Sequence, residues 1–310
     1  MAERLPILDS HLFPVPEPGE RDGEGGSGGA SELPDPETAR KKLHRLREAL
    51  LPCVREGALV AFSGGVDSAF LLWAAHDLAS STGRGRVAAL TTTSPSTPER
   101  DRADAASFTR SLGIPHYWRE SRELGLPEYA RNDRDRCYHC KEELFRIARE
   151  VADEKGLHWL LYGYNASDRS DDRPGHRAAA EAGVLAPLAG VGMEKAEIRL
   201  SMKEAGLELA DKPASPCLSS RIMTGMPVTP ERLKDVEALE AILRDSGIST
   251  CRVRVCGAEG NAPFLRVEVA PDEMEKVLAC RRELQAAGRS RGYRWVTLDL
   301  GGYRTGGGVS

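Results

Sequence analysis

The sequence predicts an α/β protein, a doubly wound parallel sheet followed by a smaller C-terminal α/β domain. Three observations carry this. Residues 58–62 are five apolar residues in a row, short enough for a strand buried on both faces. They run into Ser63-Gly-Gly-Val-Asp-Ser68 and then a helix pattern with Phe70, Leu71, Leu72, Ala74 and Ala75. Strand-like and helix-like stretches then alternate to about residue 212, as crossover units of a parallel sheet do. Beyond residue 229 the order changes to αββαβ, which fits a second domain. A length of 310 residues accommodates two domains of roughly 150 each.

Taken in order, residues 1–36 are rich in Gly, Pro, Glu and Ser, as in Gly23-Glu-Gly-Gly-Ser-Gly-Gly29. Such a stretch cannot bury enough apolar surface to offset its chain entropy, so a disordered acidic tail is expected. Residues 36–51 form an amphipathic helix with Leu43, Leu46 and Leu50 on one stripe. Further strands are expected at 87–93, 114–118 and 158–163, with helices over 101–112 and 141–153. A helix over 230–246 takes Thr229 as N-cap and Pro230 as its first residue. Strands at 252–256 and 264–270, a proline-opened helix over 271–287 and a strand at 293–300 complete the chain. The expected division is a tail (1–36), a nucleotide domain (37–212), a reactive-cysteine loop and linker (213–228) and a C-terminal domain (229–310).

Hydrophobic residues make up 40% of the chain and charged residues 29%, the balance of a globular protein with a real core. No apolar run approaches the roughly 20 residues of a membrane span, and the N-terminus lacks the build of a signal peptide. A cytoplasmic location is therefore expected. The net charge is −4, but the first 37 residues carry nine acidic side chains against Arg4 and Arg21, so the body is mildly positive. That suits small anionic substrates, and no polybasic run announces nucleic acid. Seven cysteines are an odd number for a cytosolic chain, where clustered thiols serve metals or catalysis before disulfides.

The turn Ser63, Gly64, Gly65, Val66, Asp67, Ser68 places backbone N–H groups and a helix N-terminus at one spot, which suits a phosphate. Its spacing is neither that of the Walker loop nor the dinucleotide fingerprint. It resembles the PP-loop of ATP pyrophosphatases, enzymes that cut ATP between the α and β phosphates; the alternative is a glycine turn that binds nothing. Open parallel sheets bind ligands at the carboxyl ends of their strands. Thr91, Ser94 and Gly163, at or just past such ends, therefore join the candidate ATP site.

Cys137-Tyr-His-Cys140 is expected in a loop before a helix, and a single Cys-x-x-Cys serves zinc, iron–sulfur or dithiol chemistry. Cys53, Cys251, Cys256 and Cys280 read as core fillers. Cys217 lies in Asp211-Lys-Pro-Ala-Ser-Pro-Cys-Leu-Ser-Ser-Arg-Ile222, which has no helix or strand period. Flanking Lys212 and Arg221 would favour its thiolate, so it reads as a nucleophile or ligand.

Ser63–Ser68, Ser94-Pro-Ser-Thr-Pro98, Arg136-Cys-Tyr-His-Cys-Lys141, Asp172-Arg-Pro-Gly175, the Cys217 segment, Arg252-Val-Arg254 and Thr297-Leu-Asp-Leu300 occur in an order that resembles the LarE family. The likeness runs over residues 40–305. It departs at Tyr303-Arg-Thr-Gly-Gly307, where the family's usual tail is Tyr-Arg-Ser-Gly-Ser, and at the longer turn Cys256-Gly-Ala-Glu-Gly-Asn261. The resemblance implies an ATP-dependent sulfurtransferase that adenylates pyridinium-3,5-biscarboxylic acid mononucleotide and converts its carboxylates to thiocarboxylates for the nickel-pincer cofactor. It further implies ATP and Mg2+, a homo-oligomer, a sulfide or other sulfur donor, and a 4Fe-4S cluster on Cys137, Cys140 and Cys217. Other members of the family sacrifice a cysteine sulfur, and residue 217 is open to both chemistries.

Under that resemblance, Asp67 orients the loop or the metal, Arg221 holds a carboxylate near Cys217, and Arg252 and Arg254 clamp the substrate phosphate. The two alternate along a strand and so share a face, as two merely solvated arginines also would. Glu240, Glu268 and Asp272 are offered as a second cation site, though most such carboxylates are only solvated. The rival readings are a PP-loop tRNA thiolase, an ammonia-using ligase of the NAD or GMP synthetase type, and a nucleotide-binding module without chemistry.

Overall fold

The computed structural model describes residues 34–170, 174–257 and 262–304. Residues 1–33 of the expected acidic tail lie outside the described residues, as do 171–173 of the Asp172 motif, 258–261 of the long turn and 305–310. In chain order the elements are α1 (Pro36–Glu56), β1 (Ala58–Ala61), α2 (Val66–Thr82), β2 (Val87–Thr93), α3 (Glu99–Ser111), β3 (His116–Glu120), α4 (Pro127–Ala130), α5 (Arg136–Lys155) and β4 (Trp159–Tyr162). There follow α6 (Pro174–Glu181), α7 (Pro187–Gly190), α8 (Lys195–Glu204), α9 (Pro230–Asp245), β5 (Cys251–Cys256), β6 (Phe264–Val269), α10 (Met274–Ala279), α11 (Arg281–Ser290) and β7 (Val296–Leu298).

The chain divides into two compact units. The first comprises Met1–Thr92, Arg100–Ser121 and Lys141–Ala214, the second Thr93–Glu99, Arg122–Cys140 and Ser215–Ser310. The first holds a four-stranded sheet in the order β3-β2-β1-β4. β1 pairs in parallel with both neighbours, Ala58 facing Val87 on one side and Trp159 on the other. The chain winds outward from β1 through β2 to β3 and then returns to β1's other edge for β4. The strand order therefore reverses at β1, and its carboxyl end is the switch point where open α/β sheets take their ligands. Leu46, Leu50, Phe70, Leu72 and Leu161 close the core around this sheet.

The second unit is built on β5-β6-β7, antiparallel between β5 and β6 and parallel between β6 and β7. Leu233, Val236, Leu239 and Leu243 of α9 are buried with Val253, Val255, Leu265 and Val267 of the strands. Thr229 caps α9 as its sequence predicts, its Oγ1 accepting from the Arg232 N–H at 3.3 Å.

Five boundaries differ clearly from expectation. The last strand is only Val296–Leu298 of the expected 293–300, because the Tyr293 N–H donates to the Gly288 carbonyl at 3.0 Å and ends α11 there. α1 continues through Pro52, because the missing N–H costs a single bond and buried Cys53 and Val54 anchor the last turn. β3 starts two residues late: Pro115 has no N–H for the ladder, although its carbonyl accepts from Ala89 N–H at 2.8 Å. α5 begins at Arg136, so Cys137 and Cys140 stand in the first turn of a helix and not in a preceding loop. The expected helix over 271–287 is broken into a 3-10 turn, α10 and α11; the Glu273 carboxylate at the first break accepts from Ser249 N–H at 2.9 Å. Among the described residues no helix is long and apolar enough to cross a membrane.

Candidate active site

In the first unit, β1 delivers the chain to the glycine turn. Phe62 N–H donates to Leu90 carbonyl at 2.8 Å, and Thr91 Oγ1 donates back to the Phe62 carbonyl at 2.7 Å. Gly64 takes the left-handed conformation, φ 72°, and a Cβ there would lie 2.9 Å from the Asp101 carbonyl oxygen. Ser63 and Ser68 brace the turn, their hydroxyls 3.1 Å apart, while Ser63 N–H donates to Ser68 Oγ at 3.3 Å. Gly65 caps α2 with no side-chain hydrogen bond. The amides of the first turn are thus offered to an anion and not to the protein's own side chain. Gly163, just past β4, is the wall of this turn: a Cβ on it would stand 2.6 Å from Ser68 N and 2.9 Å from the Asp67 carbonyl carbon.

Asp67 points one oxygen at Lys195 Nζ, 3.2 Å away, while its Oδ1 is buried with no hydrogen-bond partner. Burial, reinforced by the charge of Asp168, pushes its carboxyl above the usual range against the pull of Lys195 and Arg199. A carboxylate held in this way is short of a cation or a donor, and a Mg2+ ion suits it. Lys195 is not among the site residues the sequence predicts. Its sequence signal is the capping box that opens α8, Glu194 to Glu197, which fixes the lysine at the first helical position.

The second unit carries the thiols. Cys137 is exposed, and Cys140 and Cys217 are half-buried. Two side chains tie them together. Burial and then the neighbouring Cys217 and Cys140 thiols push the Tyr129 phenol far up, while its oxygen sits 2.6 Å from Ser219 Oγ. Burial works against the charge of Arg136, but Cys217, Cys137 and Tyr129 outweigh it and raise its pKa. Arg136 reaches Cys137 Sγ at 3.9 Å and donates to Asn132 Oδ1 at 2.6 Å.

The segment around Cys217 is held by its carbonyls. Arg221 donates to the Pro216 and Cys217 oxygens, the latter at 3.0 Å. Arg136 takes Ser219 carbonyl at 2.7 Å and Arg254 takes Ser220 carbonyl at 2.9 Å. Arg221 is 2% exposed and its guanidinium meets Glu240 at 2.9 Å; Arg254 meets Glu268 at 2.7 Å. Arg221, expected to hold a carboxylate near Cys217, is paired with the protein's own Glu240, and both it and Arg254 also hold carbonyls of the cysteine segment. Arg252 is half-buried, with its guanidinium over the Tyr303 ring at 5.2 Å.

Other expected positions fall differently. Ser94 belongs to the second unit, its hydroxyl donating to Glu123. Lys212, expected to favour the Cys217 thiolate, is committed in the first unit to Asp101 and Asp104. Glu240 is shared by Arg221 and Arg244, Glu268 by Arg254 and Arg266, and Asp272 stands in the turn before α10. Among the described residues no group of three or more His, Cys, Asp or Glu side chains is arranged to hold a metal ion.

No family model matches the chain. It is 36% identical over 267 residues to an uncharacterized protein of Synechocystis sp., spanning 86% of this chain and 96% of that one. It is 28% identical over 171 residues to an uncharacterized protein of Methanocaldococcus jannaschii, over 55% of this chain and 65% of the relative. To the pyridinium-3,5-bisthiocarboxylic acid mononucleotide synthase of Lactiplantibacillus plantarum it is 31% identical over 247 residues, covering 80% of this chain and 87% of that enzyme. A likeness of that extent to a named synthase makes this chain a member of the LarE family.

Proposed function

We propose that the chain is an ATP-dependent sulfurtransferase that acts on pyridinium-3,5-biscarboxylic acid mononucleotide in nickel-pincer cofactor synthesis. The observation that carries this is the uncapped start of α2 with Asp67 Oδ1 buried beside it without a partner, in a chain similar to a named bisthiocarboxylate synthase. A substrate carboxylate oxygen attacks the α-phosphorus of ATP and pyrophosphate leaves. A sulfur nucleophile then attacks the acyl carbon of the adenylate, AMP departs, and the proton of the sulfur is lost to water.

Ser63 to Ser68 receive the phosphates, with Gly163 setting how closely α2 approaches. Asp67 would hold Mg2+, which neutralises phosphate charge during displacement. Lys195 lies 3.2 Å from the same carboxylate and adds a second cation to that end of the sheet. Cys217 is the sulfur-bearing position, on a segment whose carbonyls are pinned by Arg221, Arg136 and Arg254. Arg252, half-buried beside Tyr303, is the arginine assigned to the substrate phosphate.

Cys217 neighbours both Tyr129 and Arg136, Cys140 the first and Cys137 the second, which supports reading the three thiols as one set. A 4Fe-4S cluster on these three would leave one iron open to carry sulfide. Arg136 supports the assignment because a half-buried guanidinium compensates the thiolate charge such a cluster brings.

Pyrophosphate release from ATP that requires the biscarboxylate substrate tests the first half-reaction, and its absence would sink the proposal. Mass spectrometry after turnover tests the second: an intact Cys217 supports the cluster route, whereas loss of one sulfur assigns the sacrificial one.

A further inference from the structure

The glycine turn is gripped by a buried lysine. Lys212 is 8% exposed, and its ammonium lies 2.8 Å from Asp101 Oδ1, 2.7 Å from Asp104 Oδ2 and 2.9 Å from the Gly64 carbonyl oxygen. An ammonium has three N–H bonds, and these three acceptors use them all. The two carboxylates offset the cost of burying the charge. All four residues belong to the first unit.

The consequence follows from peptide geometry. A trans peptide is planar, with its C=O and N–H pointing in opposite directions, and no cis bond occurs among the described residues. Holding the Gly64 oxygen on Lys212 therefore aims the Gly65 N–H away from the ammonium. Gly64 and Gly65 flank this peptide with no side chain on either side, so little steric hindrance opposes its rotation. On its other side the peptide is held only by the long contact of Gly65 N–H with Ser63 Oγ at 3.4 Å, so without Lys212 it can turn over, which would present a carbonyl oxygen where an anion needs an N–H.

We propose that Lys212 is a positioning residue of the phosphate loop, locking the Gly64–Gly65 peptide in the orientation that offers its N–H to a bound phosphate. The lysine acts through the Gly64 carbonyl and need not touch ATP. This rests on the reading of Ser63 to Ser68 as the phosphate loop.

The test measures binding of inorganic pyrophosphate and ATP by calorimetry, and of adenosine by saturation-transfer NMR, to the full chain and to Lys212→Met and Lys212→Arg. Lys212→Met is expected to weaken pyrophosphate and ATP at least tenfold and to leave adenosine within twofold. Lys212→Arg, which keeps a charged donor, is expected to recover part of the loss. A merely structural lysine would weaken all three ligands together. Equal losses, or undiminished pyrophosphate affinity in folded Lys212→Met, overturn the proposal. Should Lys212→Met not fold, the triple variant that adds Asp101→Asn and Asp104→Asn, and so leaves no unpaired charge, is measured against the same criteria. A wild-type chain that binds neither pyrophosphate nor ATP would instead remove the phosphate-loop reading, and this inference with it.

Discussion

A missing Cβ and an unpartnered oxygen mark the proposed nucleotide end of the first sheet. Gly163 is not in a conformation reserved for glycine; its importance is that a methyl group there would fall 2.6 Å from Ser68 N. Gly163→Ala must therefore push back the start of α2, with an overpacking cost of about 1–3 kcal/mol. The expected outcome is a lower melting temperature together with an ATP affinity reduced about tenfold or more. Asp67 carries the opposite balance. Burial raises its carboxyl pKa, so the folded state resists ionising it. That penalty is absent below its ordinary value of 3.8, where both states are protonated, and grows as pH rises through the raised folded value. At neutral pH Asp67→Asn should leave the melting temperature unchanged or higher while pyrophosphate release falls by about two orders of magnitude. A loss of both stability and activity would mean that Asp67 is structural.

At the scale of elements, what was legible depended on whether the signal was local. β2 was read residue for residue, because its apolar run stands between a glycine-rich turn and a proline-rich one. The start of α9 was written in Thr229 and Pro230. The first turn of α5 was missed since Cys137, Tyr138, His139 and Cys140 carry no apolar period, and the buried stripe starts later with Phe145 and Ala148. The partners of Lys212 were beyond any local pattern, Gly64 lying 148 positions away in sequence. The same holds for the tie between β2, β3 and α3. His116 lies 2.7 Å from Thr91 Oγ1 through Nε2 and 2.9 Å from Thr109 Oγ1 through Nδ1, and burial lowers its pKa from 6.5 to about 4. Above pH 6.5 the ring is neutral in both states and contributes no pH dependence. As pH falls from 6.5 towards 4 the unfolded chain takes a proton that the folded one refuses, so stability is lost across that window. Melting curves of wild type and His116→Gln between pH 4 and 7 should converge in slope only above 6.5; parallel curves throughout would show that His116 does not titrate on unfolding.

At the scale of the molecule the residues proposed for the two chemistries fall in different units. The proposed phosphate loop, Asp67 and Lys195 belong to the first, and Cys137, Cys140, Cys217 and their arginines to the second. The chain passes between the units repeatedly, at residues 92, 99, 121, 140 and 214, so neither unit is a single stretch of sequence. One crossing falls within α5, directly after Cys140, and another two residues before Pro216, where the pinned segment begins. Activation and sulfur delivery should therefore be separable by mutation even though the chain is interleaved. Cys217→Ala removes a half-buried thiol from a segment whose shape is kept by carbonyl contacts to Arg221, Arg136 and Arg254, none of which needs the sulfur. Its fold and its substrate-dependent pyrophosphate release should persist within about twofold, while thiocarboxylate formation is lost. Cys137→Ala should strip iron from anaerobically prepared protein and leave pyrophosphate release equally intact. Full iron content in that variant would remove Cys137 from the cluster. Loss of pyrophosphate release in Cys217→Ala would show that adenylation also depends on the cysteine segment.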